Sequence, residues 1–156
     1  MLAESARILS VSDSATEARI VIPSEPLAVR DGLRALFETL LLRALPEAAR
    51  GTAEIVLAEA MNNIVEHAYS RHSGLIEVTL HLQQPDLLCQ IEDQGLPMPG
   101  EVLPIGELRA FAGTEDLPEG GFGWHLIRAL SRDLHYHRVD GRNYLSFRLE
   151  TGQSAP

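Results

Sequence analysis

Between Leu75 and Asp93 the chain alternates apolar and polar residues at a period of two, reverses at Gln83-Gln84-Pro85-Asp86, and alternates again. That pattern leaves little choice. Period two means a strand with one face buried and one face wet, and two such runs joined by a short polar link form a hairpin. Ile76, Val78, Leu80 and Leu82 take the inner face of the first strand, with Glu77, Thr79 and His81 outside. In the second strand Leu87, Cys89 and Ile91 point inward, and the same parity carries Asp93 to that face. A buried carboxylate is costly unless donors reach it. Either the strand opens to water before Asp93, or Asp93 meets a hydrogen-bond donor, and the local sequence leaves the two even.

Around this hairpin the period changes. Residues 6–12 and 17–22 read as strands, the second ended by Pro23-Ser24-Glu25-Pro26. Leu33, Leu36, Phe37, Leu40, Leu41 and Ala44 recur at three-and-four spacing, which predicts one helix from Leu27 to Leu45. Pro46 and Gly51 close it, and a second helix is predicted from Thr52 to Tyr69. Its core side gathers Leu57, Ala58, Met61, Ile64, Val65 and Ala68, and a polar stripe of Glu59, Asn62, Asn63 and Glu66 takes the opposite side. Such a stripe is most often a solvated face.

Beyond the hairpin, glycines at 95, 100, 106, 113 and 120 and prolines at 97, 99, 104 and 118 make an irregular stretch, with one short helical candidate at Ile105–Phe111. A loop this long in a compact domain signals a lid, another functional loop or disorder. Trp124, Leu126, Ile127, Ala129 and Leu130 then read as a short amphipathic helix, and Leu134–Val139 with Tyr144–Glu150 as a hairpin turned at Asp140-Gly141. The order of elements predicts an α+β fold: a two-layer sandwich with a mixed, mostly antiparallel sheet covered on one face by helices.

Composition excludes more than it selects. At 156 residues the chain fits one domain with a sizeable core, and its net charge of −9 offers no broad footprint for nucleic acid or an anionic membrane. The single cysteine, Cys89, excludes an internal disulfide and multi-cysteine metal sites, and reads as a small core residue. No basic-then-apolar leader opens the sequence and no apolar run approaches the ~20 residues of a membrane span, so a cytoplasmic protein is expected.

The chemistry-bearing residues form three groups. Glu59 and Asn63 are neighbours one helical turn apart, an oxygen pair able to serve a proton and Mg²⁺. Asp93, inward at a strand end, suits an exocyclic amine such as that of adenine. Gly120-Gly121-Phe122-Gly123 precedes a helix, where close backbone approach and a positive dipole end suit an anion, although glycine clusters often mark only a turn. Neither a Walker A loop nor a dinucleotide-binding fingerprint is present.

Taken in order, Glu59-x-x-x-Asn63-x-x-x-His67-Ala68-Tyr69, Asp93-x-Gly95, and Gly120-Gly121-Phe122-Gly123 with Asp133 and Asn143 resemble the N, G1 and G2 boxes of the GHKL ATPase superfamily. The likeness is greatest to its anti-sigma-factor serine/threonine kinase branch, the RsbW-like proteins, and covers about residues 17–150. The resemblance implies the Bergerat, or histidine-kinase-like ATPase, fold. It implies a domain at 17–150 with an ATP lid at about 96–119, preceded by an N-terminal extension or edge strand (1–16) and followed by a tail (151–156).

By the same resemblance Asn63 matches the Mg²⁺-binding asparagine, Glu59 the general base, and Asp93 with Gly95 the adenine-binding pair. Gly121, Phe122 and Gly123 match the phosphate-side stretch. The implied cofactors are ATP and Mg²⁺. The implied activity is phosphorylation of a STAS-domain anti-sigma factor antagonist by a protein that also sequesters a sigma factor and often forms homodimers. A non-catalytic ATP-gated binding module of the same fold is the alternative. Gly95-Leu96-Pro97-Met98-Pro99 follows the family pattern only loosely, and Trp124, read as a packing or lid-contact residue, stands where leucine is more frequent. His67 reads as a structural hydrogen-bonding group near a helix end, and His135 and His137 as one solvated strand face rather than a metal site.

Overall fold

The computed structural model describes residues 8–104 and 121–152, with the backbone alone at Gly121 and Phe122. The helical candidate at 105–111, the greater part of the expected lid, Gly120 and most of the tail lie outside the described residues.

Six strands form one sheet: β1 Ser10–Asp13, β2 Glu17–Pro23, β3 Leu75–Gln83, β4 Asp86–Asp93, β5 Arg132–Val139 and β6 Arg142–Glu150, in the order β1-β2-β3-β4-β6-β5. Every pairing is antiparallel, so the mixed sheet expected from sequence is not realised among the described strands. Alternation sets one face of the sheet against the helices. Ala18, Ile20 and Ile22 of β2, Ile76, Val78 and Leu80 of β3, and Leu145, Phe147 and Leu149 of β6 are buried there. Each large aliphatic or aromatic side chain so buried contributes about 1.5–3 kcal/mol. The other face carries Arg19 paired with Glu77 and Arg142 with Glu92, and the His137 ring stacks on Tyr144 at 4.8 Å. His135 and His137 are exposed, and no cluster of metal-ligating side chains occurs among the described residues.

Between β2 and β3 the chain crosses over through helices. The single helix expected from Leu27 to Leu45 is two, α1 Pro26–Phe37 and α2 Leu40–Arg43. Apolar spacing continues across the break, but cap chemistry interrupts the ladder. Buried Thr39 turns extended, and its hydroxyl donates to the Leu36 carbonyl at 2.6 Å. From β1, Asp13 accepts the Leu40 N–H at 3.1 Å, satisfying an orphan donor of α2's first turn.

The next helix, α3 Glu47–Asn63, begins before the expected Thr52 because Pro46 already sits at its N-cap. Gly51 therefore lies inside α3, a cost of about 1 kcal/mol relative to alanine, offset by burial of Ala53, Val56, Leu57, Ala60 and Met61. The last turn widens into a π-helix at Ile64–Ala68, closed by Tyr69 N–H donating to Ile64 O at 3.0 Å. The final helix, α4 Gly121–Leu130, packs along α3.

Candidate functional site

Strand β4 keeps its register to its last residue, and Asp93 is buried at 4% exposure. The choice left open by sequence falls to burial with donors. Gly95 N–H and Asn143 Nδ2 both donate to Asp93 Oδ1, at 2.9 and 2.8 Å. Desolvation pushes the Asp93 carboxyl above its ordinary range. The Asn143 and Gly95 hydrogen bonds and the Arg138 charge oppose that rise, and Glu92 adds to it.

Asp93 lies on the wall of a cavity of about 500 Å³ between the sheet and the α3–α4 layer, together with Asn63, Met98, Trp124, Tyr136 and Asn143. The volume is in the range of small-molecule sites, and the lining is mainly apolar with a few convergent polar groups. Trp124 is buried against this space at 6% exposure. His67 lines the cavity with its side chain 65% exposed, its Nε2 lying 3.8 Å from the Glu66 carboxylate.

The approach of β4 to α3 requires glycine. A Cβ on Gly95 would lie 2.4 Å from the Ala68 carbonyl oxygen, and the next residue, Leu96, donates its N–H to that same oxygen at 2.7 Å. The wide π turn presents this carbonyl. Tyr69 pins the junction, since its hydroxyl donates to Leu75 O and accepts the Gln94 N–H, each at 2.7 Å.

The polar stripe expected on α3 divides. Asn62 and Glu66 are exposed, but Glu59 and Asn63 are half-buried because the first turn of α4 closes over them. A Cβ on Gly123 would lie 2.7 Å from Glu59 Oε2 and 3.3 Å from Asn63 Nδ2, so a side chain there would displace the Glu59 carboxylate. Asn63 Nδ2 is buried without a hydrogen-bond partner among the described residues. Such a group is costly in a folded protein unless a ligand or ion completes it. An N–H donor there and the N-terminal end of α4 fit phosphate oxygens, and a carboxamide oxygen such as that of Asn63 is a ligand type that Mg²⁺ takes. The fold thus brings Asn63 and Asp93 to one cavity, with Glu59 and Gly123 beside Asn63 and not among the described residues that line it. Gly95 caps Asp93, Gly121 opens α4, and the Phe122 side chain lies outside the described residues.

Sequence reading singled out Asn143 without a role and passed over Tyr136 and Arg138. The signal that could have found Asn143 is the one that found Asp93, a polar residue at an inward position of an alternating strand.

This geometry meets known proteins as follows. The family model of the histidine kinase-like ATPase domain matches residues 22–149. The chain belongs to this family. Within it, the chain is 34% identical over 109 residues to the serine/threonine-protein kinase BtrW of Bordetella bronchiseptica, covering 69% of this chain and 72% of that protein. It is 31% identical over 94 residues to the serine-protein kinase RsbW of Bacillus mycoides, covering 59% of each. These relatives place it in the RsbW-like branch of the histidine kinase-like ATPases. A solved histidine kinase domain of Erythrobacter litoralis aligns over 85% of this chain and 63% of its own at 16% identity, with a TM-score of 0.48. No described helix of this family member is long and apolar enough to cross a membrane.

Proposed function

We propose that this chain is an ATP- and Mg²⁺-dependent serine/threonine protein kinase that acts as an anti-sigma factor and phosphorylates a STAS-domain antagonist. The observation that carries the reading is the buried Asp93 carboxyl, held by two donors on one oxygen, at the wall of a cavity that also holds Asn63. The RsbW and BtrW names of the relatives support the kinase class, and the resemblance of the three boxes supports the partners.

Asp93 would accept the exocyclic amine of adenine on the oxygen not taken by Gly95 and Asn143, which selects an amine over a carbonyl at that purine position. Asn63 would hold Mg²⁺, which supplies charge neutralisation along the phosphates when bound. The N–H groups of α4's first turn would cradle the phosphate oxygens, Gly123 permitting the approach. Glu59 would take the proton of the partner's serine or threonine hydroxyl as its oxygen bonds to the γ-phosphorus, the bond to the β-phosphate oxygen breaks, and ADP departs. Phosphoryl transfer rests on positioning and electrostatics, so the chain needs no nucleophile of its own. The residues at 96–104, where the expected lid begins, border the cavity through Leu96, Met98 and Pro104.

The test is incubation of the purified protein with Mg-ATP and a cognate STAS-domain partner, read by phosphosite mass spectrometry. One phosphorylated serine or threonine on the partner is expected. Nucleotide binding without any phosphorylated partner would overturn the kinase assignment.

A second reading, a non-catalytic ATP-gated binding module, draws on Glu59 not being among the described residues that line the cavity. Glu59→Gln separates the two: a kinase loses phosphorylation and keeps ATP binding, whereas a binding module keeps both its binding and its output.

A further inference from the structure

One row of the sheet runs Ile22, Ile76, Asp93, Asn143, Arg138 across five strands on the helix-facing side. The first two are apolar core, and the last three form a polar chain. Arg138 Nη1 donates to Asn143 Oδ1 at 2.8 Å and to the Gly95 carbonyl at 2.9 Å. Tyr136 donates its hydroxyl to the same Asn143 oxygen at 2.6 Å and accepts the Met98 N–H at 3.1 Å.

An asparagine amide can present either its oxygen or its nitrogen to a neighbour. Two donors on one side of Asn143 remove that freedom, since only an oxygen can face both a guanidinium and a hydroxyl. Nδ2 must then point the other way, where it donates to Asp93 Oδ1 and to the Leu96 carbonyl at 2.9 Å. Both hydrogen bonds that Asp93 accepts among the described residues fall on Oδ1, which leaves Oδ2 for a ligand.

We propose that Arg138 is a positioning residue for purine recognition: acting through the Asn143 amide and the Gly95 carbonyl, it fixes the Asp93 carboxylate and reserves one of its oxygens for an exocyclic amine. The proposal rests on the nucleotide reading given above and adds to it the residue that sets the state of the recognition carboxylate. Without the guanidinium, the Asn143 oxygen keeps one donor of its two, and Asp93 loses the Arg138 charge that favours its ionised form. That loss favours the protonated carboxyl, whose neutral oxygen accepts an amine proton more weakly than a carboxylate oxygen does. The titratable and charged groups around Asp93 are His67 and Tyr69 from the turn after α3, His72 near Gln94, Glu92 on β4, and Tyr136 and Arg138 on β5. Arg138 brings the one guanidinium among them.

Two readouts test this, one without nucleotide. The Asp93 carboxyl carbon is titrated by NMR in the nucleotide-free wild type, Arg138→Met, Arg138→Lys and Tyr136→Phe, and the ADP dissociation constant of each is measured across the same pH range. In Arg138→Met the carboxyl midpoint moves up by about one pH unit, and the pH at which ADP affinity falls off moves up with it. Arg138→Lys restores most of the midpoint, and Tyr136→Phe, which removes a donor but no charge, shifts it less than Arg138→Met. A folded Arg138→Met with an unchanged midpoint, or one whose ADP affinity drops by the same factor at every pH, overturns the role of Arg138 alone. Wild-type protein that binds no ADP at any pH overturns the nucleotide reading itself.

Discussion

Gly123 and Glu59 touch across the α3–α4 contact so closely that a methyl group on Gly123 would lie 2.7 Å from Glu59 Oε2. The obstructing atom is the far end of a flexible side chain, so the fold can yield by turning the carboxylate away. Gly123→Ala is therefore expected to keep its melting temperature within a few degrees of wild type. A displacement of about 1 Å in a catalytic group can cost about 100-fold in rate, and a loss of that order in phosphoryl transfer is predicted, read by phosphosite kinetics on the partner.

Gly95 presents the opposite case. A Cβ there meets the backbone oxygen of Ala68 at 2.4 Å and its carbonyl carbon at 2.6 Å, atoms that cannot rotate away. Gly95→Ala must separate β4 from the π turn and weaken the Leu96–Ala68 hydrogen bond. A loss of about 1–3 kcal/mol is predicted, measured by chemical denaturation, together with loss of nucleotide binding.

The contrast shows what the sequence could carry. Strand periods and the inward parity of Asp93 were legible because both depend on neighbours a few residues apart. The break after Phe37 was not, because Leu36, Phe37, Leu40 and Leu41 keep helical spacing while Asp13, distant in sequence, caps the second helix. The role of Asn143, and Tyr136 and Arg138 altogether, escaped for a related reason: the contacts of Asn143 with Asp93 and of Arg138 with Gly95 require β6 to lie beside β4, and that strand order follows from how the hairpins assemble. The N, G1 and G2 boxes offered the candidate site residues, but nothing in their spacing told that Glu59 and Asn63 would be half-buried on a stripe that reads as solvated.

Acid should release nucleotide early. Burial raises the Asp93 pKa above its ordinary value of 3.8, so the folded, nucleotide-free protein binds this proton more tightly than the unfolded chain. The stabilising contribution of this group is thus fully present below 3.8 and is lost as pH rises through the raised value. The carboxylate accepts an amine more strongly than the neutral acid does, so ADP affinity should climb as pH rises through the raised pKa and level off above it. Calorimetry across pH 4–8, a range chosen to span about four units above the carboxylate reference, checks the direction; proton release on binding at the acid end is the accompanying signature.

Tyr69 offers a stability test away from the chemistry. Its hydroxyl ties Leu75 O to Gln94 N, and burial raises its own pKa, the Gln94 and Leu75 hydrogen bonds opposing and the Asp93 charge adding. Tyr69→Phe leaves both backbone groups short of a partner. A loss of about 1–2 kcal/mol is predicted, with nucleotide affinity reduced less than by Gly95→Ala.

The central claim is that Asp93 reads a purine amine. Its most direct test is calorimetric titration of wild type and Asp93→Asn with ADP and GDP in the presence of Mg²⁺. The account predicts saturable one-to-one binding of ADP to wild type, little or none of GDP, and at least a tenfold loss in Asp93→Asn, in keeping with the worth of about 1.5–3 kcal/mol of a hydrogen bond to a charged group. Equal affinity of wild type for ADP and GDP, or an Asp93→Asn protein that binds ADP as tightly as wild type, would contradict it.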